Sequence, residues 1–148
     1  MTHAELVDRA ARWLLNTRRC KLVIVGAQPW SCHEHPDAIG WLPLGESIVV
    51  ECKVSLQDFR ADHYKRWRMT TTGAGFYRYY MTPSGVQSSP TSDDDGLLEV
   101  RGRTVRVIRE ARPRQKRDWT AELSMLLAQV SNGRRLIGAN EAEGDDVG

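Results

Sequence analysis

The stretch PDAIGWLPLGESIVVECKV, residues 36–54, decides the fold of this 148-residue chain. Its two halves, residues 36–41 and 47–54, are rich in apolar and β-branched side chains and predict two strands. The segment Pro43-Leu44-Gly45-Glu46 between them predicts a turn, because proline and glycine favour a reversal of the chain. The stretch is therefore expected to form a β-hairpin.

The register of that hairpin brings two carboxylates and an amine together. The predicted turn pairs Asp37 with Glu51, and opposed residues have Cβ atoms about 5 Å apart. Lys53 lies two residues beyond Glu51 and shares its face of the strand. The alternate positions are apolar and predict the core-facing side: Ile48, Val50 and Cys52.

Two carboxylates at this separation repel each other by roughly 3 kcal/mol at an effective dielectric of about 20. A divalent cation between them turns the repulsion into ligation, and hard oxygen ligands favour Mg²⁺ or Mn²⁺. Lys53 beside them is suited to orient or deprotonate a water and to stabilise charge on a phosphoryl group. The alternative is an edge hairpin that carries a surface Asp–Lys or Glu–Lys pair.

The spacing Pro36-Asp37, thirteen residues, then Glu51-Cys52-Lys53 resembles the signature of the PD-(D/E)XK nuclease superfamily. The run ECKVSLQDFRAD, residues 51–62, is similar to the E-x-K-S-x-x-D-F-x-x-D run of MmcB-like DNA-repair proteins and small phage relatives. Residues 80–86 and 96–100 resemble their downstream strands. Together these similarities cover about residues 1–130.

This resemblance implies a restriction-endonuclease-like core and metal-dependent hydrolysis of phosphodiester bonds. It does not fix the substrate, because the superfamily spans cleavage of DNA and of RNA. We expect DNA over RNA, with DNA repair or phage DNA metabolism as the setting. The resemblance implies that Asp37 and Glu51 bind Mg²⁺ or Mn²⁺. The main-chain carbonyl of Cys52 would be a further ligand, and Lys53 the catalytic lysine. A nuclease fold kept as a catalytically silent nucleic-acid-binding or regulatory module is the alternative.

Two further residues are candidates for the same site. Many members of the superfamily use an acid on the first helix, and Glu5 is the one well-placed candidate here. A capping box with Thr2 explains Glu5 without catalysis. Gln57, at the start of the helix behind the motif strand, could reach a metal-bound water or a phosphate. Ordinary helix-start chemistry is the alternative for Gln57.

Basic residues are concentrated in two places, although the net charge is only +2. Residues 101–117 hold eight Lys and Arg against one acid, and a second group lies in residues 60–68. This segregation suits a polyanionic partner, with a solvated charged face as the alternative. Trp30 and Trp41 are candidates for base stacking or for core packing. The predicted nucleic-acid-binding residues are Arg60, Lys65, Arg66, Arg68, Arg101, Arg103 and Arg106.

The other elements predict one domain over residues 1–137, of α/β or α+β class, with a mixed central sheet flanked by helices. Helices are predicted over residues 2–18, from Ser55 to about Met69, and after Asp118. Further strands are predicted over residues 20–25, 76–81, 97–100 and 104–108. The last helix has an apolar face formed by Trp119, Leu123, Leu126, Leu127 and Val130. The acidic residues 138–148 predict a disordered tail.

Composition excludes several classes of protein. The longest apolar stretch is far shorter than a membrane span, and the amino terminus lacks the pattern of a signal peptide. Three cysteines at irregular spacing argue against a disulfide framework and favour a reducing compartment. We therefore expect a cytoplasmic protein of a bacterial cell or phage-infected host. Dimerisation is common among similar nucleases, so a homodimer remains open beside a monomer.

Cys32 and His35 invite a zinc interpretation, but structural zinc requires four ligands. Only Cys20 and His63 are spare, and His63 shares an apolar stripe that makes it a core histidine. The segment is better interpreted as a loop that leads into the hairpin.

Overall fold

A mixed β-sheet organises the chain, whose computed structural model describes residues 1–30, 34–61, 73–86 and 92–131. The strands are β1 (Leu22–Val25), β2 (Ala38–Trp41), β3 (Ser47–Cys52), β4 (Tyr77–Pro83), β5 (Gly96–Arg101) and β6 (Thr104–Arg109). They lie side by side in chain order. Strands β3, β4 and β5 are mutually parallel, and the other neighbours are antiparallel. The predicted mixed sheet flanked by helices is confirmed.

Helix α1 (His3–Arg12) begins at the predicted capping box and continues as a π-helical turn over Trp13–Thr17. The helical segment closes where Cys20 donates its backbone N–H to the carbonyl of Leu14 at 2.9 Å. The first strand therefore starts at Leu22, two residues later than predicted. Within the described residues, no helix has the length and apolar character needed to cross a bilayer.

Two more helical segments follow in the chain: residues 56–61 form α2, and Trp119–Ser131 form α3. Ser55 caps α2 as predicted, because its hydroxyl accepts the backbone N–H of Asp58 at 3.1 Å. Several predictions lie outside the described residues: the remainder of the helix to Met69, the acidic tail 138–148, and the residues Cys32, His63, Lys65, Arg66 and Arg68.

One core lies between α1 and the sheet. The apolar stripe of α1, including Leu6 and Leu14, packs on the alternate β3 residues Ile48, Val50 and Cys52, all of which are buried. This is the core-facing set that the hairpin pattern predicts. Removing so much apolar surface from water stabilises the α1–sheet contact by roughly 25 cal/mol per Å² buried.

A second core lies on the opposite face of the sheet, beneath α3. Met125 and Ala121 of α3 pack with Ile39 and Val49, so the central strands are buried on both faces. The apolar face predicted for α3 is wrong as the packing face. Four of its five members, Trp119, Leu123, Leu127 and Val130, are exposed by 65, 56, 46 and 50% respectively. The fifth, Leu126, is partly buried and packs against this core.

A buried ion pair explains which face of α3 packs against the sheet. Glu122 is 2% exposed and lies 2.7 Å from Arg117 Nε. It also accepts the indole N–H of Trp41 at 2.9 Å and the backbone N–H of Gly75 at 3.1 Å. Burial raises the pKa of Glu122, but the hydrogen bonds from Arg117, Gly75 and Ser47 outweigh it and hold that pKa below its ordinary range. These contacts direct the Glu122 side of α3 inward, although other sides are more apolar.

Candidate active site

Strands β2 and β3 pair with the register that the sequence predicts. Ala38 faces Val50 and Ile39 faces Val49. Extending this register by one residue places Asp37, just before β2, opposite Glu51, near the carboxyl end of β3. The hairpin alone therefore brings the two carboxylates to the same end of the sheet.

Asp37 is held by two groups from different parts of the chain. Its Oδ2 accepts the backbone N–H of Cys52 at 2.8 Å, which ties it to the end of β3. Its Oδ1 lies 3.2 Å from Nε2 of His3, the first residue of α1. With its side chain only 20% exposed, Asp37 joins the hairpin to the start of α1.

Glu51 faces a buried cation on the neighbouring strand. Its Oε1 lies 3.4 Å from Nη2 of Arg78, and the Arg78 side chain is only 6% exposed. Arg78 stands in β4 directly opposite Val49, so parallel pairing places it on the face that carries Glu51. The side chain of Glu51 is 13% exposed.

Glu34 completes a charged cluster around Arg78. It forms an ion pair with Arg78 Nη1 and accepts the backbone N–H of Ala74 at 2.8 Å. Arg78 also donates to the carbonyl of Ala74 at 2.9 Å. Burial disfavours the charged guanidinium, but the carboxylates of Glu34 and Glu51 outweigh that effect and raise the pKa of Arg78 above its ordinary value. Arg78 is therefore a fixed positive charge beside Glu51.

Lys53 follows directly after β3, two residues beyond Glu51. Its backbone N–H donates to the carbonyl of Met81 at 3.0 Å, which extends the β3–β4 ladder past the end of the strand. The residue is half-buried. Because side chains alternate along extended backbone, Lys53 and Glu51 lie on the same face.

The two additional candidates lie at helix starts. Glu5 is exposed and forms the capping box with Thr2, with distances of 2.7 and 3.2 Å. The hydrogen bonds from Thr2 hold the pKa of Glu5 below its ordinary value. The structural explanation of Glu5 is thus confirmed. Gln57 is exposed in the first turn of α2, and its catalytic role stays a prediction.

The basic segment 101–117 does not act as one surface, because three of its arginines bind the protein itself. Arg109 donates to the carbonyls of Ser92 and Asp95, and Arg114 donates to those of Gly73 and Ala74. Arg117 is buried against Glu122. Arg101 is ion-paired with Glu99. Among the predicted binding residues that the structure describes, Arg60, Arg101, Arg103 and Arg106 are exposed.

Trp30 and Trp41 have different environments. Trp41 is half-buried, packs on the second core and bonds to Glu122, as the core-packing alternative predicts. Trp30 is 64% exposed, and its backbone N–H donates to Ser124 at 2.7 Å.

Metal-ligating side chains are sparse. In the part of the chain that the structure describes, no three His, Cys, Asp or Glu side chains are gathered around a common point. His35 is exposed. Cys20 is buried, and this burial raises the pKa of its thiol to about 11, which disfavours the thiolate that zinc binds.

The donor set around Asp37 and Glu51 nevertheless fits Mg²⁺ or Mn²⁺. Magnesium keeps several waters and is often bound by one or two carboxylates together with substrate phosphates. The carboxylates of Asp37 and Glu51 are hard oxygen donors at the rim of the sheet. Contacts with His3, the backbone amide of Cys52 and Arg78 fix their positions.

His3, Glu34 and Arg78 are the parts of this site that sequence reasoning missed. An arginine within the aromatic strand segment FYRYYM, residues 76–81, was an available signal, because a buried charge requires a partner. His3 and Glu34 carry no such signal, since their partners are 34 and 44 residues away.

Comparison with known proteins supports the fold alone. No protein-family profile matches the chain, and no curated protein matches it. A solved structure of a protein of unknown function from Silicibacter pomeroyi is similar, with a TM-score of 0.67 and 20% sequence identity. The similarity covers 97% of this chain and 95% of that one. The two chains therefore share one fold over almost their whole length.

Proposed function

We propose that this protein is a metal-dependent nuclease of the PD-(D/E)XK type, which hydrolyses phosphodiester bonds of nucleic acid, with DNA rather than RNA as the expected substrate. One observation carries the proposal. Asp37 and Glu51 are opposed where β3 ends, and Lys53 follows on the face of Glu51. Two acids and a lysine converging at the rim of a sheet have the composition of a site for hydrolysing a phosphodiester.

Each residue has a distinct role in this proposal. Asp37, Glu51 and the main-chain carbonyl of Cys52 hold Mg²⁺ or Mn²⁺, which when bound supplies Lewis-acid stabilisation of a phosphoryl oxygen. Lys53 orients the attacking water and stabilises the charge that develops on the phosphate. The water oxygen bonds to phosphorus, the bond from phosphorus to the leaving oxygen breaks, and a proton passes to that oxygen.

The surroundings of the carboxylates contribute by positioning them. His3 and the Cys52 amide hold both oxygens of Asp37, while Arg78 holds one oxygen of Glu51. Side chains fixed in this way lose little conformational entropy when a substrate binds. The proposal places the protein in the cytoplasm of a bacterial or phage-infected cell, in DNA repair or phage DNA metabolism. Both a monomer and a homodimer are compatible with it.

A second candidate function is a nuclease fold that binds nucleic acid without cutting it. The contacts just described favour this alternative, because protein groups already occupy oxygens of both carboxylates. Arg78 supplies beside Glu51 a positive charge that a cation would otherwise provide. Such a module would bind with a steep salt dependence, about 0.9 of a log unit per phosphate contact on duplex DNA.

A cleavage assay separates the two functions. Plasmid, single-stranded DNA and structured RNA are incubated with the protein in Mg²⁺, Mn²⁺ or EDTA, beside the Asp37→Ala/Glu51→Ala double variant. Circular dichroism checks the fold of the variant, and Asp37→Asn serves as a milder second variant. Metal-dependent cutting that both variants lose supports the nuclease. Salt-sensitive binding that survives EDTA, without cutting in either metal, supports the binding module and overturns the nuclease.

A further inference from the structure

A polar groove lies beside α1, away from the paired carboxylates. It has a volume of about 660 Å³ and lies between the π-helical turn that follows α1 and the turn that joins β5 to β6. The residues that give it its chemistry are Arg9, Arg12, Asn16, Thr17, Arg103 and Thr104.

The charged side chains that line the groove are all cationic. Three of its lining side chains are guanidinium groups, and none is a carboxylate. Arg12 is paired with Asp8 at 2.8 Å, but both side chains are more than half exposed, and such pairs contribute about 0–1 kcal/mol. Arg103 is exposed and has no ion-pair partner within the described residues. The neighbouring hydroxyl and amide groups add neutral hydrogen-bond donors.

The groove is held in shape by its own contacts. Arg9 donates from Nη2 to the carbonyl of Gly102 at 2.8 Å, which joins α1 to the β5–β6 turn. That bond uses one of five guanidinium donors, so the others remain available to a ligand. Arg9 and Arg12 are three residues apart and lie on one face of α1.

The position of the groove relates it to the paired carboxylates. Because β3, β4 and β5 are parallel, their carboxyl ends share one edge of the sheet. Glu51 lies at the first of these ends, and the β5–β6 turn follows the last. His3, the first residue of α1, contacts Asp37. Arg9 lies about 9 Å further along the axis of the helix. This length corresponds to roughly three nucleotides of axial rise in DNA.

We propose that the groove of Arg9, Arg12 and Arg103 binds the phosphate backbone of the nucleic acid whose scissile bond lies at Asp37 and Glu51. The inference rests on the proposed function and names a binding surface for it. Guanidinium groups match phosphate geometry through paired hydrogen bonds. Neutralising phosphates releases counterions, so the groove contributes affinity that declines with salt.

The test measures binding of the full-length protein to a short fluorescein-labelled DNA duplex in EDTA over a range of salt concentrations. The groove variant is Arg12→Ser/Arg103→Ser, which leaves the Arg9–Gly102 bond in place. The matched control is Lys21→Ser/Arg112→Ser, which removes the same charge from exposed positions outside the groove and outside the predicted binding residues. Circular dichroism verifies that both variants are folded.

The groove variant is expected to lower the slope of log K against log salt by about 2, whereas the control leaves it unchanged. Equal loss in both variants, no loss in either, or no binding by the unaltered protein overturns the groove as the binding surface. Cleavage in Mg²⁺ is measured in parallel. If the unaltered protein cuts DNA and the groove variant binds normally, the groove proposal is refuted and the nuclease proposal stands. If binding depends on the groove but the protein never cuts, the nuclease proposal is refuted and the groove proposal stands.

Discussion

The Oε1 atom of Glu51 lies 3.4 Å from Nη2 of Arg78, so a proposed metal-binding carboxylate is paired with a guanidinium that is almost fully buried. Arg78 reaches this position from the adjacent parallel strand and is shared with Glu34. The ion pairs of Arg78 fix the position of Glu51. They also stabilise the contacts of β4 with β3, which carries Glu51, and with the segment that carries Glu34. The cluster therefore links the stability of the fold to the geometry of the candidate site.

Replacing Arg78 by methionine should strongly destabilise the protein. The variant leaves Glu34 and Glu51 without their shared cation, and breaking a buried pair costs about 3–5 kcal/mol. Urea unfolding measures the change in free energy. Arg101→Met is the control, because Arg101 is 53% exposed and its pairing with Glu99 is worth about 0–1 kcal/mol. Equal losses for the two variants would refute a structural role for the cluster.

Under the proposed function, Lys53→Ala should remain folded and bind Mg²⁺ but no longer cut nucleic acid, because the proposal places the lysine beside the attacking water. Plasmid cleavage and thermal unfolding followed by circular dichroism measure the two properties. Lys21→Ala removes the same charge from an exposed position at the start of β1 and should keep full activity. A Lys53→Ala protein that cuts at the unaltered rate would rule out the catalytic assignment.

The orientation of α3 predicts different costs for two of its apolar residues. Met125 is 0% exposed, and truncation to alanine leaves a cavity that costs about 2–5 kcal/mol. Leu127 is 46% exposed, and the same truncation should change the free energy of unfolding by about 0.5 kcal/mol or less. Urea unfolding of the two variants gives the comparison. The reverse order would mean that α3 packs through the face predicted from its sequence.

Glu122 makes the free energy of unfolding depend on pH. Its pKa is lower in the folded protein than in the unfolded chain, so the stability it contributes is present above its ordinary pKa. That contribution is lost as the pH falls below about 4 and the carboxyl group takes up a proton. The difference in unfolding free energy between the unaltered protein and Glu122→Gln should therefore be large at neutral pH and shrink in acid. Urea unfolding across this range measures it, and a constant difference would contradict the assignment.

Local patterns were enough to predict much of the architecture. The β2–β3 register follows from the hairpin turn and from alternation along the strand, and both are properties of residues close in sequence. The capping box of α1 and the Ser55 cap are likewise local. The strand hairpin near the carboxyl end was predicted to within a residue or two at each boundary.

The face of α3 could not be predicted in this way. Periodicity counts apolar residues, and most of the large apolar side chains of this helix lie on its exposed side, although Met125 is buried. What turns α3 is the set of contacts from Arg117, Trp41 and Gly75 to Glu122. Two of these partners lie on distant elements, so no window along the helix could reveal them.

By itself, the sequence determined the mixed sheet with its flanking helices and the opposition of Asp37 to Glu51. These depend on turn chemistry, strand alternation and hydrophobic pattern, which act between residues near one another in the chain. Only the tertiary structure decided that His3 would meet Asp37, that Arg78 would hold Glu51, and which arginines would face solvent. Those outcomes depend on charges brought together from distant segments, because a buried ion is stable only where the folded chain supplies its partner.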